Sequence, residues 1–344
     1  MPRLRVALIG LGMAVGPHAK SLLDLKDKAE IVWAVSPSAA RREAFARNFP
    51  FPTAGDVDAV LADRSVDAVF VLTPPNTHLD IVRRAAKAGK HVLVEKPLEV
   101  TTARAREMVQ ACAAAKVRLG MVLQHRFRPA AVKVKQAVAS GALGKLAHCS
   151  VAVPWWRPQA GYYDQPGRGT LARDGGGVLI TQAIHTLDLF LHLAGPVTQV
   201  HALAATSPVH RMETEDQVVA TLGFANGAMG ALDCTTVAYP GYPETILLAG
   251  DKGSARIAGT EAAIEYMGPP PRRETAGSAA GGGGGADPMA FPHDWHRDLI
   301  ADFLDAVAAN REPAIPGSEA LRVHCLIDAL LRSAREKRAI QPES

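Results

Sequence analysis

Short uninterrupted runs of apolar residues recur through the first third of the chain. They are LRVALI at 4–9, IVWAV at 31–35, VDAVFVL at 66–72, HVLV at 91–94 and RLGMVL at 118–123. A strand covered on both faces needs continuous rather than alternating hydrophobicity, so these runs predict the buried strands of a parallel sheet. The segments between them, such as AARREAFARNF and THLDIVRRAAKAGK, have helical spacing, and Gly89 is a plausible C-cap for the second. Residues 1–123 are therefore predicted to form an α/β domain with an open, doubly wound parallel sheet.

From about residue 145 the apolar residues alternate with polar ones. The alternating segments are KLAHCSVAV, VTQVHALAAT, DQVVATLGF, GAMGALDCTT, ETILLAGDKG and SARIAG. Alternation over consecutive strands, with turns such as Ala225-Asn226-Gly227, is typical of an antiparallel sheet with one covered face. Residues 124–344 are therefore predicted to form a second, α+β domain with a large, mostly antiparallel open sheet.

The C-terminal region predicts an insertion followed by two helices. Residues 269–288, PPPRRETAGSAAGGGGGADP, are poor in core-forming residues and predict a flexible insertion. The segments WHRDLIADFLDAVAAN and SEALRVHCLIDALLRSAREK are amphipathic. We expect these two helices to complete the second domain and to pack back towards the first.

Charge and cysteine usage narrow the classes of partner. The 344 residues carry 38 basic and 34 acidic side chains, a net charge of +4, and no run of five like charges that could follow a phosphate backbone, so we expect no nucleic-acid partner. The four cysteines are too far apart for a CxxC-type site, and we predict no metal site. MPRLRVALIG lacks the apolar core of a signal peptide, and no apolar run was expected to span a membrane, so we predict a cytoplasmic protein.

A glycine pair follows the first predicted strand, in the segment GLGMAVGPH. In an open parallel sheet, ligands bind beyond the carboxyl ends of the strands, and Gly10 and Gly12 would let the backbone approach a pyrophosphate at a helix N-terminus. Met13 and Ala14 complete the candidate cofactor loop, although the third glycine of the usual fingerprint is replaced by Val15. A plain strand-to-helix turn is the alternative, but the position after the first strand favours a dinucleotide-binding Rossmann domain.

The second loop bears on which dinucleotide binds. An NAD-binding unit usually carries an acidic residue for the ribose hydroxyls, whereas this chain reads AVSPSAARRE, with Ser36 at the strand end. Ser36, Ser38 and Arg41 or Arg42 could bind a 2′-phosphate, which slightly favours NADP. The alternative is that both arginines are solvated and the site accepts NAD without an acidic anchor.

Four motifs in order carry a resemblance to a known family. They are GLGMAVGPH, TPPNTH at 73–78, EKP at 95–97 and GGGVLITQAIHTLD at 175–188. Together they resemble the Gfo/Idh/MocA oxidoreductases, named for glucose-fructose oxidoreductase and inositol dehydrogenase, over nearly the whole chain. The resemblance implies an NAD(P)-dependent enzyme acting on a sugar or cyclic polyol, a homodimer or homotetramer formed through the open sheet, and a cis Lys96–Pro97 bond. The candidate cofactor-binding residues from these motifs are Thr73, Pro74, Asn76, His78, Glu95 and Lys96.

Lys96 has a chemical reason to end a buried strand. Moving a hydride from an alcohol carbon to nicotinamide also requires the hydroxyl proton to leave, and the reverse reaction needs a proton donor. An ammonium group whose pKa is lowered by burial and by a nearby cation can do both. The alternative, a solvated ion pair at a surface strand end, fits poorly with the ligand-binding edge of the sheet.

The fourth motif adds a histidine to the candidate catalytic set. Thr181, His185 and Asp188 fall near one face of a helix, and we expect this face to point at Lys96. The resemblance implies an aspartate at the position of Thr181, so the threonine puts that carboxylate role in doubt. We assign proton exchange to His185 and positioning of a substrate hydroxyl to Thr181. The alternative is a buried helix histidine satisfied by Asp188.

A segment rich in aromatic and basic residues, VPWWRPQAGYYDQPGRGT at 153–170, suits a sugar. A long loop packed by its own aromatic residues is an equally good explanation for any one of them. The candidate substrate-binding residues are Arg126, Trp156, Arg157, Tyr163, Arg168 and Gln182.

Two other functions remain open at this point. One is a glycoside-cleaving enzyme that keeps NAD bound and uses transient oxidation. The other is a non-catalytic cofactor-binding sensor, which would be consistent with the missing aspartate but would have no need of a lysine and histidine pair.

Overall fold

The structure, a computed structural model, describes residues 3–278 and 292–343. Its strands are β1 Leu4–Ile9, β2 Ala29–Val35, β3 Thr53–Ala54, β4 Ala68–Val71, β5 His91–Val94, β6 Leu119–Met121, β7 Leu146–Pro154, β8 Val197–Ala205, β9 Gln217–Phe224, β10 Met229–Thr235, β11 Thr245–Gly250, β12 Gly253–Ala258, β13 Glu261–Tyr266 and β14 Arg272–Gly277. Its α-helices are α1 Val15–Asp24, α2 Ala39–Ala46, α3 Val57–Ala62, α4 His78–Lys87, α5 Thr102–Ala114, α6 Pro129–Ala139, α7 Leu171–Asp174, α8 Ile184–Ala194, α9 Asp294–Ala308 and α10 Gly317–Glu336.

The chain divides into two compact units. Unit 1 consists of Met1–Gln124 together with Pro292–Leu321, and unit 2 of His125–Phe291 together with Arg322–Ser344. Helix α9 therefore belongs to unit 1 although it follows the strands of unit 2 in sequence. The division predicted from sequence, at residues 123 and 124, remains a prediction about domains.

Unit 1 contains a six-stranded parallel sheet in the order β3-β2-β1-β4-β5-β6. This confirms the predicted open parallel sheet and each of its five predicted strands. β3 was not predicted from sequence, because a two-residue edge strand has no hydrophobic period. β4 is buried along its whole length, as a central strand covered on both faces must be. Gly89 ends α4 as predicted, with φ +73° and its N–H bound to the carbonyl of Ala86.

Helix α9 packs against α1 within unit 1. Phe303 of α9 is 1% exposed, and its ring meets Phe70 edge-on with 5.9 Å between ring centroids. A Cβ atom on Gly120 of β6 would lie 2.8 Å from Cδ2 of Phe303, so only glycine lets the helix come this close to the strand. The return of the chain to unit 1 is thus fixed by specific packing.

Unit 2 contains an eight-stranded sheet in the order β14-β13-β12-β11-β7-β10-β9-β8. Only the β7–β10 pairing is parallel among these described strands, so the predicted, mostly antiparallel sheet is confirmed. The six strands predicted from sequence are present, and β13 and β14 were missed. The prediction that 269–288 is a flexible insertion is wrong for residues 272–277, which form β14, and its remainder from residue 279 lies outside the described residues.

Helices α6 and α8 pack on the sheet of unit 2, which confirms that the helix carrying His185 covers a face. Three apolar side chains of this sheet are exposed to solvent. Leu203 is 68% exposed, Val219 47% and Met229 73%. The run Leu171–Ala194 is long and apolar enough to cross a membrane by length and composition, but 89% of its most apolar window is buried inside the protein. It is a core helix of unit 2.

We predict that Phe303→Ala lowers the free energy of unfolding of unit 1 by about 3–5 kcal/mol, because it opens a cavity between α9 and β4. The measurement is urea unfolding, with hydrogen exchange followed in residues 294–308. Val132→Ala on α6, where the side chain is 43% exposed, is the control and should stay within about 0.5 kcal/mol of the parent. Equal effects of the two substitutions would contradict this account of α9.

Candidate active site

The loop between β1 and α1 is shaped by two glycines with different constraints. Gly10 has φ +107°, and a Cβ atom there would lie 2.8 Å from the carbonyl carbon of Leu72, so the glycine is required by the fold itself. Gly12 is exposed, and no described heavy atom lies within 4 Å of its Cβ position. Met13 is 60% exposed, and Ala14 is the N-cap residue of α1. The loop therefore leaves open space at the N-terminus of α1.

The loop after β2 holds its own polar groups. Ser36 is buried, and its hydroxyl accepts a hydrogen bond from the N–H of Ser38 at 3.3 Å. The guanidinium of Arg42 donates to the carbonyls of Ser36 and Pro37 at 2.6 and 3.1 Å. Arg41 is exposed in the first turn of α2, whose N-cap is Ser38. Three of the four side chains proposed for a 2′-phosphate, those of Ser36, Ser38 and Arg42, thus make hydrogen bonds within this segment.

The loop after β4 is clamped by a buried histidine. His78 lies at the start of α4, with Nε2 2.8 Å from the carbonyl of Thr73 and Nδ1 3.0 Å from that of Leu98. Burial lowers the pKa of His78. Pro74 and Asn76 are exposed on the same loop, whereas His78 is fully buried. The geometry therefore gives His78 the role of joining the loops after β4 and β5, and leaves Thr73, Pro74 and Asn76 as the surface of the loop.

The EKP segment follows β5 directly. Lys96 is half-buried, and the Lys96–Pro97 bond is cis, as the family resemblance implied. Glu95 Oε1 accepts a hydrogen bond from His18 Nε2 at 2.8 Å, and Oε2 accepts one from the main-chain N–H of Lys96 at 3.0 Å. Burial alone raises the pKa of Glu95, but the hydrogen bond from His18 opposes this and holds the pKa at about 2. Glu95 is therefore a fixed carboxylate behind the lysine rather than a group facing solvent.

The sequence analysis missed both histidines next to Glu95. His18 is on α1 and His296 on α9, and their rings meet edge-on at 5.4 Å. The histidine in GLGMAVGPH was a visible signal, because a buried polar residue on the first helix needs a partner. Nothing in the sequence placed His296 beside it, since 278 positions separate the two residues (296 − 18).

In unit 2 the turn before α8 is built around a carboxylate. Glu215 accepts hydrogen bonds from the N–H groups of Gly177 and Leu179 at 3.1 and 3.3 Å, which satisfies the start of the helical segment. A Cβ atom on Gly177 would lie 1.8 Å from the carbonyl oxygen of Glu215. Burial raises the pKa of Glu215. Because Gly177 has no side chain, the loop that carries Glu215 can pack directly against the start of the helical segment.

The sequence predicted a regular helix through Thr181 and His185, whereas the structure has an irregular helical turn at Thr181. Residues Leu179–Ala183 form a π-helical turn before α8 begins, a feature found often at functional sites. The hydroxyl of Thr181 donates to the carbonyl of Gly177 at 2.7 Å, so its oxygen remains an acceptor. Thr181 and His185 are both half-buried.

The surroundings of Asp188 and His185 in unit 2 bear on the alternative that the carboxylate satisfies the histidine, which stays a prediction. Asp188 is 1% exposed and pairs with Arg126, with its oxygens 2.5 and 2.7 Å from the guanidinium. His185 instead stacks on His125, with 4.8 Å between ring centroids. Nε2 of His125 lies 2.5 Å from a guanidinium nitrogen of Arg128, and because arginine only donates, this nitrogen is the acceptor. His125 was also missed from the sequence.

The predicted sugar-binding segment forms a polar and aromatic cluster. Arg157 is 1% exposed, donates to the side chain of Gln182 at 2.9 Å and lies 5.2 Å from the ring centroid of Trp155. The amide nitrogen of Gln182 also lies within hydrogen-bonding distance of the Tyr162 hydroxyl. Burial lowers the pKa of Arg157.

The outer members of this segment are less buried. Arg168 is half-buried and lies 5.2 Å from the ring centroid of Tyr162, and Trp156 is half-buried with its ring edge-on to Tyr239. Tyr163 is buried, and its hydroxyl lies 3.0 Å from that of Thr236. The predicted substrate-binding residues therefore fall into two groups. The side chains of Arg157, Tyr163 and Arg126 pack inside unit 2, whereas Trp156 and Arg168 reach its surface.

Comparison with known proteins agrees with both units. A model described as the oxidoreductase family with an NAD-binding Rossmann fold matches residues 4–123, and one described as the GFO/IDH/MocA C-terminal domain matches residues 131–256. Inositol 2-dehydrogenase of Rhizobium meliloti is 28% identical over 343 residues, which is 98% of each chain. Myo-inositol 2-dehydrogenase of Thermotoga maritima is 30% identical over 256 residues, covering 73% of this chain and 74% of that protein.

A solved structure is similar along its whole length. The WlbA dehydrogenase from Bordetella pertussis, in complex with NADH and UDP-GlcNAcA, has a TM-score of 0.84 and 30% identity and covers 100% of both chains. The likeness extends to both sheets described above.

The two glycines of the first loop make a prediction that separates folding from binding. Gly10→Ala should lower the free energy of unfolding by about 1–3 kcal/mol, because it forces a left-handed residue against the backbone of Leu72. Gly12→Ala should leave stability within about 0.5 kcal/mol but raise the Kd for NADH about tenfold, because its Cβ atom occupies the space left for the pyrophosphate. Urea unfolding and NADH fluorescence titration measure the two effects. A Gly12→Ala protein that binds NADH like the parent would remove this loop from the cofactor site.

Proposed function

This chain belongs to the GFO/IDH/MocA oxidoreductase family, and from that premise we propose that it is an NAD-dependent dehydrogenase acting on a secondary alcohol of a sugar, cyclic polyol or sugar derivative. The observation that carries the proposal lies in unit 1. β1, β4 and β5 are neighbours in the parallel sheet, so the glycine loop, the loop at Thr73 and Lys96 emerge at one edge. A half-buried lysine at that edge is placed to exchange a proton next to a bound dinucleotide.

The first loop fits a dinucleotide on physical grounds. The first turn of α1 contains no acidic residue, and the exposed Gly12 leaves its backbone accessible, so helix-end N–H groups can meet a pyrophosphate. When bound, the nicotinamide supplies a hydride acceptor or donor. The surrounding residues that we assign to holding it are Gly10, Gly12, Met13, Ala14 and the surface residues of the Thr73 loop.

The proton chemistry is assigned to Lys96 and His185. Lys96 is the acid/base group or polariser at the substrate oxygen, and His185 is its partner for proton exchange. Thr181 has no ionisable proton at neutral pH, so it cannot replace the carboxylate that the family carries there. We assign Thr181 to accepting a hydrogen bond from a substrate hydroxyl, because its own proton is donated to Gly177.

The substrate class rests on the cluster around Arg157. Gln182, Trp156 and Arg168 combine amide, flat aromatic and cationic groups, the combination suited to a sugar ring and its hydroxyls. The relative that binds UDP-GlcNAcA and the inositol dehydrogenases support a sugar or cyclic polyol. We assign Arg126, Arg157 and Tyr163 to positioning this surface.

NAD is the cofactor that we propose, in place of the slight preference for NADP suggested by the sequence. Ser36 is buried, its hydroxyl accepts from the N–H of Ser38, and Arg42 donates to carbonyls of its own loop. Arg41 alone remains exposed of the groups proposed for a 2′-phosphate. The WlbA dehydrogenase binds NADH, which supports the same choice.

The oligomer and the location remain proposals from the sequence. We propose a homodimer or homotetramer formed through the sheet of unit 2, supported by the exposed apolar side chains of Leu203, Val219 and Met229. We likewise keep the cytoplasm as the proposed location.

We predict that Lys96→Ala lowers kcat/KM by about 10²–10⁴-fold, because it removes the general acid/base group, while NADH binding remains. His185→Ala should have a similar effect, because it removes the group that we assign to proton exchange. The measurement is reduction of NAD⁺, followed by absorbance, with a panel of polyols, aldoses, uronic acids and nucleotide sugars.

Lys87→Ala on the exposed side of α4 is the matched control and should keep kcat/KM within about twofold. A parent protein that binds NADH but oxidises nothing in the panel would contradict the proposal. Cleavage of a glycoside without net cofactor reduction would then favour the glycosidase, and binding without any turnover would favour the sensor.

We predict that the parent enzyme uses NAD⁺ at least about tenfold more efficiently than NADP⁺, and that Arg41→Ala changes kcat/KM with NAD⁺ by less than about twofold. The physical reason is that an exposed arginine has no 2′-phosphate to bind when NAD is the cofactor. Steady-state kinetics with both nucleotides test this. Higher efficiency with NADP⁺ that falls in Arg41→Ala would restore NADP as the cofactor.

A further inference from the structure

Three side chains from distant segments of unit 1 meet behind the catalytic lysine. We call His18 of α1, Glu95 at the end of β5 and His296 of α9 the imidazole–carboxylate cluster. Their ligating atoms all lie within 4.8 Å of one another. Both histidines are buried, at 0% and 3% exposed, and Glu95 is half-buried. Polar groups this deeply buried need a structural or chemical reason.

Glu95 links two elements through its two oxygens. Oε1 accepts from His18 Nε2 at 2.8 Å, and Oε2 accepts from the main-chain N–H of Lys96 at 3.0 Å. The N–H of Glu95 itself is bound to the carbonyl of Val71 in β4. The carboxylate therefore ties the peptide that carries Lys96 to the helix that follows the glycine loop.

His18 in turn is held from two sides. Its ring meets Phe70 of β4 edge-on at 6.3 Å and His296 of α9 edge-on at 5.4 Å. Burial lowers the pKa of His296 to about 3, so this ring is neutral at physiological pH and can pack against His18 without adding a charge. The ring of His296 thus packs against the ring of His18 and restricts its orientation.

The spacing does not suit a metal ion. Two ligands about 2.1 Å from one tetrahedral zinc ion are roughly 3.4 Å apart, whereas His18 Nε2 and Glu95 Oε1 are separated by 2.8 Å, the length of a hydrogen bond. The other carboxylate oxygen is used by Lys96 N–H. The contacts fit a hydrogen-bonded relay rather than a coordination site.

We propose that His18 and His296 are positioning residues for Lys96, acting through the carboxylate of Glu95, which accepts from the main-chain N–H of Lys96 and places a negative charge beside that residue. This inference rests on the proposed function only in the role it gives Lys96. Two buried histidines and one half-buried carboxylate thus act on the orientation and charge state of one side chain. Removing a link should therefore move the titration of Lys96 and the rate together.

The charges around Glu95 fix the sign of the effect. It faces His18 from α1, His296 from α9, His78 from α4 and the neighbouring Lys96. An ionised carboxylate near an ammonium stabilises the charged form and raises the pKa of the lysine. Replacing Glu95 by Gln removes that anion, so the pKa of Lys96 should fall.

The test combines a pH profile of kcat/KM with a direct titration of Lys96 in the full-length protein. The direct titration is the pH dependence of acetylation by acetic anhydride, followed at the peptide containing Lys96 by mass spectrometry. It needs no turnover. The variants are His18→Leu, His18→Gln, His296→Leu and Glu95→Gln, each checked for a parent-like unfolding transition.

His18→Leu should lower kcat at least about tenfold and shift both profiles, because the carboxylate loses its donor. His18→Gln keeps an N–H at the end of the side chain and should restore the profiles to within about 0.3 pH unit of the parent. His296→Leu should show the smaller shift of an indirect contact. His324→Leu, which replaces another buried histidine whose pKa burial lowers to about 4, is the matched control and should leave both profiles unchanged.

Parent-like profiles in His18→Leu and Glu95→Gln would overturn the inference, as would a shift in His18→Gln as large as that in His18→Leu. Stoichiometric zinc in the purified protein, lost in His296→Leu, would overturn it in favour of a metal site. A parent that shows no turnover but a Lys96 titration that moves in Glu95→Gln would reject the proposed function while keeping the inference.

Discussion

A strand buried on both faces cannot carry charge until it ends, and this constraint organises the chemistry of the protein. β4 is apolar along its length, β1 is apolar and buried after Arg5, and β5 is apolar and buried after His91; further polar residues follow at their carboxyl ends. Because the three strands are adjacent and parallel, their ends place the glycine loop, the Thr73 loop and Lys96 side by side. The charged pair after β5 is thus the point where the sheet first permits ionised groups, and Glu95 is accommodated there by donors rather than by water.

In unit 2, buried polar side chains are stabilised in a different way. Two arginines whose side chains are deeply placed each have a polar partner, Arg126 with Asp188 and Arg157 with Gln182. Matching of this kind holds side chains in one conformation, which a surface that distinguishes hydroxyl stereochemistry requires. The π-helical turn at Thr181 and the capping carboxylate of Glu215 likewise set the start of α8, the helix on which His185 lies.

Much of the fold could be predicted from local pattern, and much of the site could not. Continuous and alternating hydrophobicity identified the two sheets and the strands that carry motifs, because those periods follow directly from burial. β3 is too short to have a period, and β14 reads as a charged, glycine-flanked segment, since an edge strand needs little apolar surface. These misses come from the same physical cause: the outer strands of a sheet are specified mainly by their neighbours.

Partnerships between distant residues were the other limit. The sequence identified Glu95, Lys96 and His185 but not the partners that hold them, because His18 and His296 are far from Glu95 in sequence and no local pattern joins them. Arg126 was proposed as a substrate-binding residue, and no local pattern indicated that it forms an ion pair with Asp188, 62 positions away. His78 shows the same effect, since a residue inside a ligand-loop motif can serve the backbone of that loop rather than its surface.

The position of α9 also has a consequence for how the protein is made. Unit 1 begins at the N-terminus, but one side of its core is covered by α9, residues 294–308. A ribosome must therefore synthesise all the strands of unit 2 before α9 can pack. Until then, Phe70 and the buried face of α1 lack their partner, and the nascent chain exposes the side of unit 1 that will hold Glu95 in place. The unit that starts first therefore cannot complete its core until the strands of the other unit have been synthesised.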